Sequence, residues 1–194
     1  MKTTIFSFAV LMITLVSCQK ESVSKKITDE TNTTTSAKLS NIKARGYCSN
    51  GCPIQEIAFI AGQHIDAGTI TVYNDADYIY VTYNTANGYV LTQTHLYVGN
   101  CEAIPVNKKG NPVPGQFPYK NTHNNITSFT YQVPISAIGM DNCGCVAAHA
   151  AVVKLDSNGN VIDSQTAWGA GTSITPGNGS WGTKFEYCTC SGGQ

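Results

Sequence analysis

The sequence has few charged residues and no complete catalytic motif. Charged side chains make up 12% of its 194 residues, and the acidic and basic groups balance to a formal net charge of zero. Neither a Gly-x-Ser-x-Gly nucleophile elbow nor a glycine-rich phosphate-binding loop occurs, so the commonest signatures of hydrolases and nucleotide-binding enzymes are missing. The chain also lacks a clustered basic face, which argues against nucleic acid as a partner.

A helical hydrophobic period is missing from the sequence after residue 45. Apolar and polar residues instead alternate through short segments such as GTITVYN, DYIYVTYN and TSFTYQV, and glycine or asparagine turns lie between many of them. A period of two places alternate side chains on one buried face of a strand. The pattern predicts an all-β fold, an antiparallel β-sandwich of about eight strands, with no long helix apart from the signal peptide.

The N-terminal apolar run, residues 5–16, is too short to span a bilayer, which takes about 20 apolar residues. It follows the basic Lys2, and we therefore expect residues 1–17 to be a signal peptide. The run ends in LVSC, the pattern of a bacterial lipobox, which predicts acylation of Cys18 and attachment to a membrane through it. An ordinary secretory signal without lipidation is the alternative. No Asp follows Cys18, so the predicted location is the outer membrane or the cell surface.

Residues 18–45 contain no aromatic residue and are rich in Ser, Thr and Lys. Such a segment buries too little apolar surface to offset the entropy of ordering it. It is predicted to be a disordered, lipid-anchored tether. Residues 46–194 then form a single β-sandwich domain of ordinary size.

Seven cysteines follow the predicted anchor, and in an exported protein they are expected to form disulfides. Because seven is odd, one thiol stays free or pairs with another chain. Zinc is the alternative, although Cys-x-Cys spacing in a strand matches structural zinc sites poorly. The disulfide candidates are Cys48, Cys52, Cys101, Cys143, Cys145, Cys188 and Cys190.

Four aromatic residues lie in segments rich in glycine or proline, where they could be exposed. Trp168 and Trp181 adjoin WGAG and WGTKFEY, whereas Phe117 and Tyr119 lie in the long segment from Gly99 to Ile126. Exposed aromatic rings stack on the apolar faces of sugars, so these four are the predicted ligand-binding residues. The alternatives are that the two indoles fill the core and that the long segment is a flap, pinned through Cys101, over one open end of the sandwich.

Six motifs occur in order between about Ile57 and Tyr187: AGQHIDAGTITV, YIYVTYN, THLYVG, GNPVPGQFPY, AAHAAV and AWGAG. In this series the chain resembles a family of exported bacterial surface β-domain lipoproteins without a known activity. The resemblance implies a single domain outside the cytoplasm. It brings no known cofactor or catalytic residue that could be carried over to this chain.

Three histidines, His64, His95 and His149, lie in or beside predicted strands. Imidazoles from separate strands can converge on a metal ion. His64 also lies two residues from Asp66, and a Ser/His/Asp hydrolase uses such a pairing of imidazole and carboxylate. His149 is the least expected of them, because it interrupts the apolar run CGCVAAHAAVVKL. The run predicts a central strand covered on both faces, so His149 is either a hydrogen-bonded core residue or a metal or ligand site.

Together these observations predict a lipid-anchored binding or adhesion module, displayed at the surface, that recognises a glycan or another surface protein. An enzymatic activity and a cofactor are not expected. The alternative is a metal-binding or hydrolytic domain that uses His64, His95 and His149.

Overall fold

The structure is a computed structural model. The residues it describes are 46–47, 53–138, 143–177 and 179–190. The predicted signal peptide, the lipidation of Cys18 and the tether of residues 18–45 lie outside these ranges, as do Cys48 and Cys52.

Antiparallel strands make up most of the described chain, and α-helix is absent from it. Three short 3-10 turns are its helical segments, and none of the described helices is long and apolar enough to cross a membrane. The strands are β1 (Gly46–Tyr47), β2 (Pro53–Ala61), β3 (Ile65–Asn74), β4 (Tyr78–Thr85), β5 (Tyr89–Gly99), β6 (Tyr119–Ile126), β7 (Ser128–Pro134), β8 (Cys143–Leu155), β9 (Val161–Gly169), β10 (Thr172–Ser173) and β11 (Thr183–Cys188). The predicted all-β antiparallel fold is confirmed.

The long strand β8 organises the sheet. One of its edges pairs with β5, while the other pairs first with β11 and then, from His149 onward, with β9. Strand β9 joins β2 at Phe59–Ala61, and the order continues through β3 and β4 to β7. Strand β6 extends the far side of β5. All of these strands belong to one continuous sheet. Its two halves face each other across the core as two layers, one of β6, β5, β8, β9 and β11 and the other of β2, β3, β4 and β7.

The main hydrophobic core lies between the two layers. Alternate side chains of β3 and β4, such as Ile70 and Val81, have no exposed surface and belong to one cluster with Leu96 and Ala148 from the opposite layer. Tyr83 crosses this core and donates a hydrogen bond of 3.0 Å to the backbone carbonyl of His95. Burial of apolar surface at about 25 cal/mol per Å² is the main stabilising contribution to such a fold.

A second, smaller core lies on the outer face of β5, β8 and β9. It contains Tyr97, Ala147 and Trp168 from the strands, together with Ile104 and Phe117 from the segment that follows β5. That segment is therefore a flap, but it covers an outer sheet face and not an open end of the sandwich. It is also shorter than predicted, because the residues from 119 to 126 continue as strand β6.

Two disulfides tie neighbouring segments to the start of β8. Cys101 at the base of the flap is bonded to Cys145, and Cys143 is bonded to Cys188 of β11. Cys190 is disulfide-bonded as well. The prediction that these cysteines form disulfides is confirmed for the described residues, and it explains how a glycine- and proline-rich flap is held against the sheet.

Candidate functional site

A row of aligned residues crosses the outer face of the sheet. Lys120 of β6 pairs with His95 of β5, His95 with His149 of β8, His149 with Trp168 of β9, and Trp168 with Ile60 of β2. Directly opposed residues of antiparallel strands project from the same face, with Cβ atoms about 4.5–5.5 Å apart. The register therefore brings a lysine, two imidazoles and an indole into one line beside the flap.

The two imidazoles of this row are in direct contact. His95 Nδ1 and His149 Nδ1 are 3.2 Å apart, so one ring donates its N–H to the other. The opposite side of the His149 ring meets Trp168, with ring centroids 4.7 Å apart and nearly edge to face. His149 is 9% exposed, whereas His95 is half-buried. The pair thus lies at the boundary between the second core and solvent.

Both rings of the pair are neutral at physiological pH. Burial and, to a smaller extent, the neighbouring His95 together lower the pKa of His149 to about 3. The pKa of His95 is also lowered, first by burial and then by the positive charge of Lys120. Neutral imidazoles offer lone pairs, so this pair can accept hydrogen bonds or bind a metal ion.

A surface pocket lies beside the row, on the other side of Trp168. Its volume is about 350 Å³, within the range of small-molecule sites. The indoles of Trp168 and Trp181 meet nearly edge to face, with centroids 6.4 Å apart. Polar groups are contributed by Gln63, His64 and Thr183. The lining residues are Ile60, Gln63, His64, Trp168, Ala170, Gly171, Trp181 and Thr183.

Glycines shape this pocket because larger residues would not fit. A Cβ atom at Gly171 would lie 2.1 Å from the carbonyl oxygen of Lys184, and one at Gly182 would lie 2.7 Å from Pro112. The turn that carries His64 uses Gly62 at a positive φ of 52°, a conformation that glycine adopts without strain. The glycines of the motifs WGAG and WGTK thus allow neighbouring chain segments to approach each other closely around the two indoles.

The four predicted ligand-binding aromatics occupy different environments. Trp168 and Trp181 line the pocket together. Trp168 is only 6% exposed and belongs to the second core, so the prediction that it is exposed is wrong and the alternative that an indole fills the core holds for it, whereas Trp181 is half-buried. Phe117, predicted to lie on an exposed aromatic surface, is instead 1% exposed and packs between Tyr97 and Trp168. Tyr119 is half-buried against the main core. The disulfide at Cys101 holds the flap down, and this closure buries Phe117.

The structure brings together two of the three histidines predicted to bind a metal. His64 lies in the β2–β3 turn and lines the pocket, whereas His95 and His149 face each other across β5 and β8. Among the described residues, Cys143, Glu186 and Cys188 are the one group of three potential ligands within 4.8 Å of one another, and the two cysteines form a disulfide. A site made by all three histidines is therefore not assembled here.

The suggested hydrolytic pairing of His64 with Asp66 is not formed either. Asp66 Oδ1 accepts a hydrogen bond of 3.0 Å from the backbone N–H of Gly68. His64 lies in the turn before β3, and Asp66 in the strand itself. The carboxylate therefore stabilises the start of β3.

A buried polar cluster was missed by the sequence analysis. Thr94 has no exposed surface, and its hydroxyl lies 2.8 Å from His123 Nε2 and 2.7 Å from the hydroxyl of Tyr131. His123 lies in the polar run NTHNN of the long segment that was predicted to be a flap, and the structure places it in β6. No sequence signal marks this cluster, because β6 has no apolar period. Since Thr94 is buried, its hydroxyl is not reachable by a substrate.

No protein-family profile, curated protein or solved structure matches the chain. The functional conclusions below therefore rest on the geometry of its own residues.

Proposed function

We propose that this domain is a carbohydrate-binding module displayed at the bacterial surface through a lipid anchor at Cys18. The single observation that carries the proposal is the pocket of about 350 Å³ formed by Trp168 and Trp181. An indole presents a flat apolar face to the C–H groups of a sugar ring. Amide, imidazole and hydroxyl groups from Gln63, His64 and Thr183 can then bind the sugar hydroxyls.

The location of the pocket suits a binding role. It lies at the rim of a rigid sheet, and Trp168 is fixed by contacts with Phe117 and His149. A rigid aromatic anchor loses little conformational entropy when a ligand binds. Trp181 and His64 are more accessible and can adjust around the ligand.

Glycan binding tests this proposal directly. The full-length protein is applied to an array of bacterial and host glycans, together with the variants Trp181→Ala, His64→Ala and Tyr78→Ala. Tyr78 is a matched control, because it is 37% exposed and lies on β4, away from the pocket lining.

We expect Trp181→Ala to make the free energy of glycan binding less favourable by more than about 1 kcal/mol, as loss of a binding hot spot does. On the array this appears as weaker retention of the glycan. His64→Ala should weaken it too, and Tyr78→Ala should bind like the unaltered protein. Equal retention by all the variants, or absence of any glycan ligand, would contradict the proposal. A surface protein captured through the same two residues would identify the other predicted class of partner.

A further inference from the structure

The His95–His149 pair has the geometry of a metal chelate. The two Nδ1 atoms are 3.2 Å apart on the outer sheet face. Two imidazole nitrogens that bind one tetrahedral ion at 2.0–2.1 Å are about 3.3 Å apart, and in a square-planar site they are about 2.9 Å apart. We propose that His95 and His149 chelate a divalent transition-metal ion, Cu²⁺, Ni²⁺ or Zn²⁺, with solvent at the remaining positions.

The sheet holds this pair ready for an ion. His95 and His149 are directly opposed on β5 and β8, so both Cβ positions are fixed by the sheet. Trp168 supports the His149 ring from the side away from His95. When the ion binds, it displaces the proton shared by the two Nδ1 atoms, which moves through solvent to Nε2 of the same ring. Small rotations about the two Cβ–Cγ bonds then direct both Nδ1 lone pairs to one point. Because the two rings are already held close together, binding an ion costs little side-chain conformational entropy, and the chelate is preorganised.

The side chains around the pair show which groups can act as metal ligands. His123 is half-buried on β6 and is already hydrogen-bonded to the buried Thr94. Lys120, the neighbour of His95 on β6, donates a hydrogen bond of 3.1 Å from Nζ to the carbonyl of Gly115. The positive charge of Lys120 opposes a bound cation, so an ion binds at the pair only where its bonds to the ligands are strong. Imidazole forms such bonds, and its affinity for divalent ions follows the order Cu²⁺ above Ni²⁺ and Zn²⁺.

Trp168 supplies a local reporter for the site. The chain contains two tryptophans, so Trp181→Phe leaves Trp168 as the single indole fluorophore. Its ring centroid is 4.7 Å from that of His149, and paramagnetic Cu²⁺ or Ni²⁺ at the pair should quench its emission. Cysteines or the N-terminus can bind metal elsewhere in the chain, but ions bound there do not contact this indole.

The experiment titrates EDTA-treated, full-length Trp181→Phe protein with Cu²⁺ and then Ni²⁺, and follows Trp168 emission with excitation at a wavelength selective for indole. Diamagnetic Zn²⁺ is added as a competitor. The same titration is made with His95→Ala, with His95→Gln, which keeps a polar contact to His149, and with His123→Ala and His64→Ala. Near-ultraviolet circular dichroism shows which variants are folded.

We expect saturable quenching with one ion per chain, tighter for Cu²⁺ than for Ni²⁺ and reversed by Zn²⁺. In both His95 variants the affinity should fall by more than the roughly 10–100-fold that loss of an outer supporting residue costs. His123→Ala and His64→Ala should titrate like the parent. Quenching that is absent from the parent, persists in a folded His95 variant or disappears in His64→Ala would overturn the two-histidine chelate.

Discussion

At His149, a polar side chain fits into an apolar strand because its neighbours are small and its Nδ1 atom shares a hydrogen bond with His95 Nδ1. Ala147 and Ala151 flank it on the same face of β8, which leaves space for Trp168 beside the ring. An unpaired buried N–H would cost about 1–3 kcal/mol. The contact with His95 removes that cost, and the ring remains neutral.

The low pKa of His149 predicts that acid destabilises the protein. The pKa is about 3 in the folded state against an ordinary value of 6.5, so the unfolded state binds a proton first as the pH falls. The contribution of His149 to the free energy of unfolding is therefore fully present above pH 6.5 and is lost progressively as the pH falls towards 3. Between pH 7.5 and pH 5.0, linkage to this one group lowers the free energy of unfolding by about 2 kcal/mol.

Urea unfolding in EDTA at these two pH values measures the effect, with His149→Asn as the comparison. His95 faces the same ring and, because its own pKa is also lowered, it adds a smaller loss in the same direction. Asp75 and Asp163 have a lowered pKa, below an ordinary 3.8, so their contribution falls outside this window. The variant should lose distinctly less stability than the unaltered protein, and equal losses would refute the assignment.

The sequence predicted the environment of His149 and named His95 as one of two histidines that could converge with it, but it did not show the register that brings His95 and not His64 into contact. Parity along CGCVAAHAAVVKL correctly indicated a central strand covered on both faces. The position of His95 depends on a bulge between Leu91 and Gln93, which inserts an extra residue into β5. Without it, strict alternation would place His95 on the same face as Leu91, in the main core. A one-residue insertion reverses the faces that follow it, and nothing in YVLTQTHLYV marks the bulge.

Among the elements, strands with an alternating pattern were predicted and strands without one were not. The run YIYVTYN alternates, and it forms β4 with Val81 and Tyr83 buried. β6 has the polar sequence YKNTHNNI and is held by pairing with β5 at the edge of its layer. Hydrogen bonding to a neighbour, and not burial of its own side chains, defines that strand. The pocket could not be predicted, because it needs β9, β11 and the β2–β3 turn to meet in three dimensions.

The β9–β11 connection predicts that Gly171 is required for the pocket. A methyl group there would lie 2.1 Å from the carbonyl oxygen of Lys184, and the backbone of β10 or β11 would have to move. We expect Gly171→Ala to lower the free energy of unfolding by about 1–3 kcal/mol, as overpacking does, and to weaken glycan binding. Gly115→Ala in the flap is the control, since nothing lies within 4 Å of its Cβ position. Comparable effects of the two changes in denaturant unfolding would count against this view.

For the whole molecule, the predicted anchor at Cys18 would attach the proposed binding domain to a membrane. If Cys18 is acylated, each buried CH₂ group contributes about 0.8 kcal/mol to membrane attachment, and more than one chain makes the attachment durable. Cys18→Ser should abolish fatty-acid labelling and move the protein from the membrane fraction to the soluble fraction. Ser17→Ala keeps a small residue before the cleavage site and should leave both unchanged. Retention of the Cys18→Ser protein in the membrane fraction would disprove the anchor.

Two of the disulfides are expected to stabilise the whole domain to a similar extent but to differ in their effect on closure of the flap. Cys101–Cys145 and Cys143–Cys188 join residues 44 and 45 positions apart, so chain entropy gives each a similar stabilisation of about 4 kcal/mol. Only the first holds the flap, which carries the exposed Lys108 and Lys109. In native buffer, trypsin should therefore cut the flap much faster in Cys101→Ala/Cys145→Ala than in Cys143→Ala/Cys188→Ala, despite similar losses in denaturant unfolding. Equal cleavage rates would mean that packing of Phe117 and Ile104 in the second core suffices to keep the flap closed.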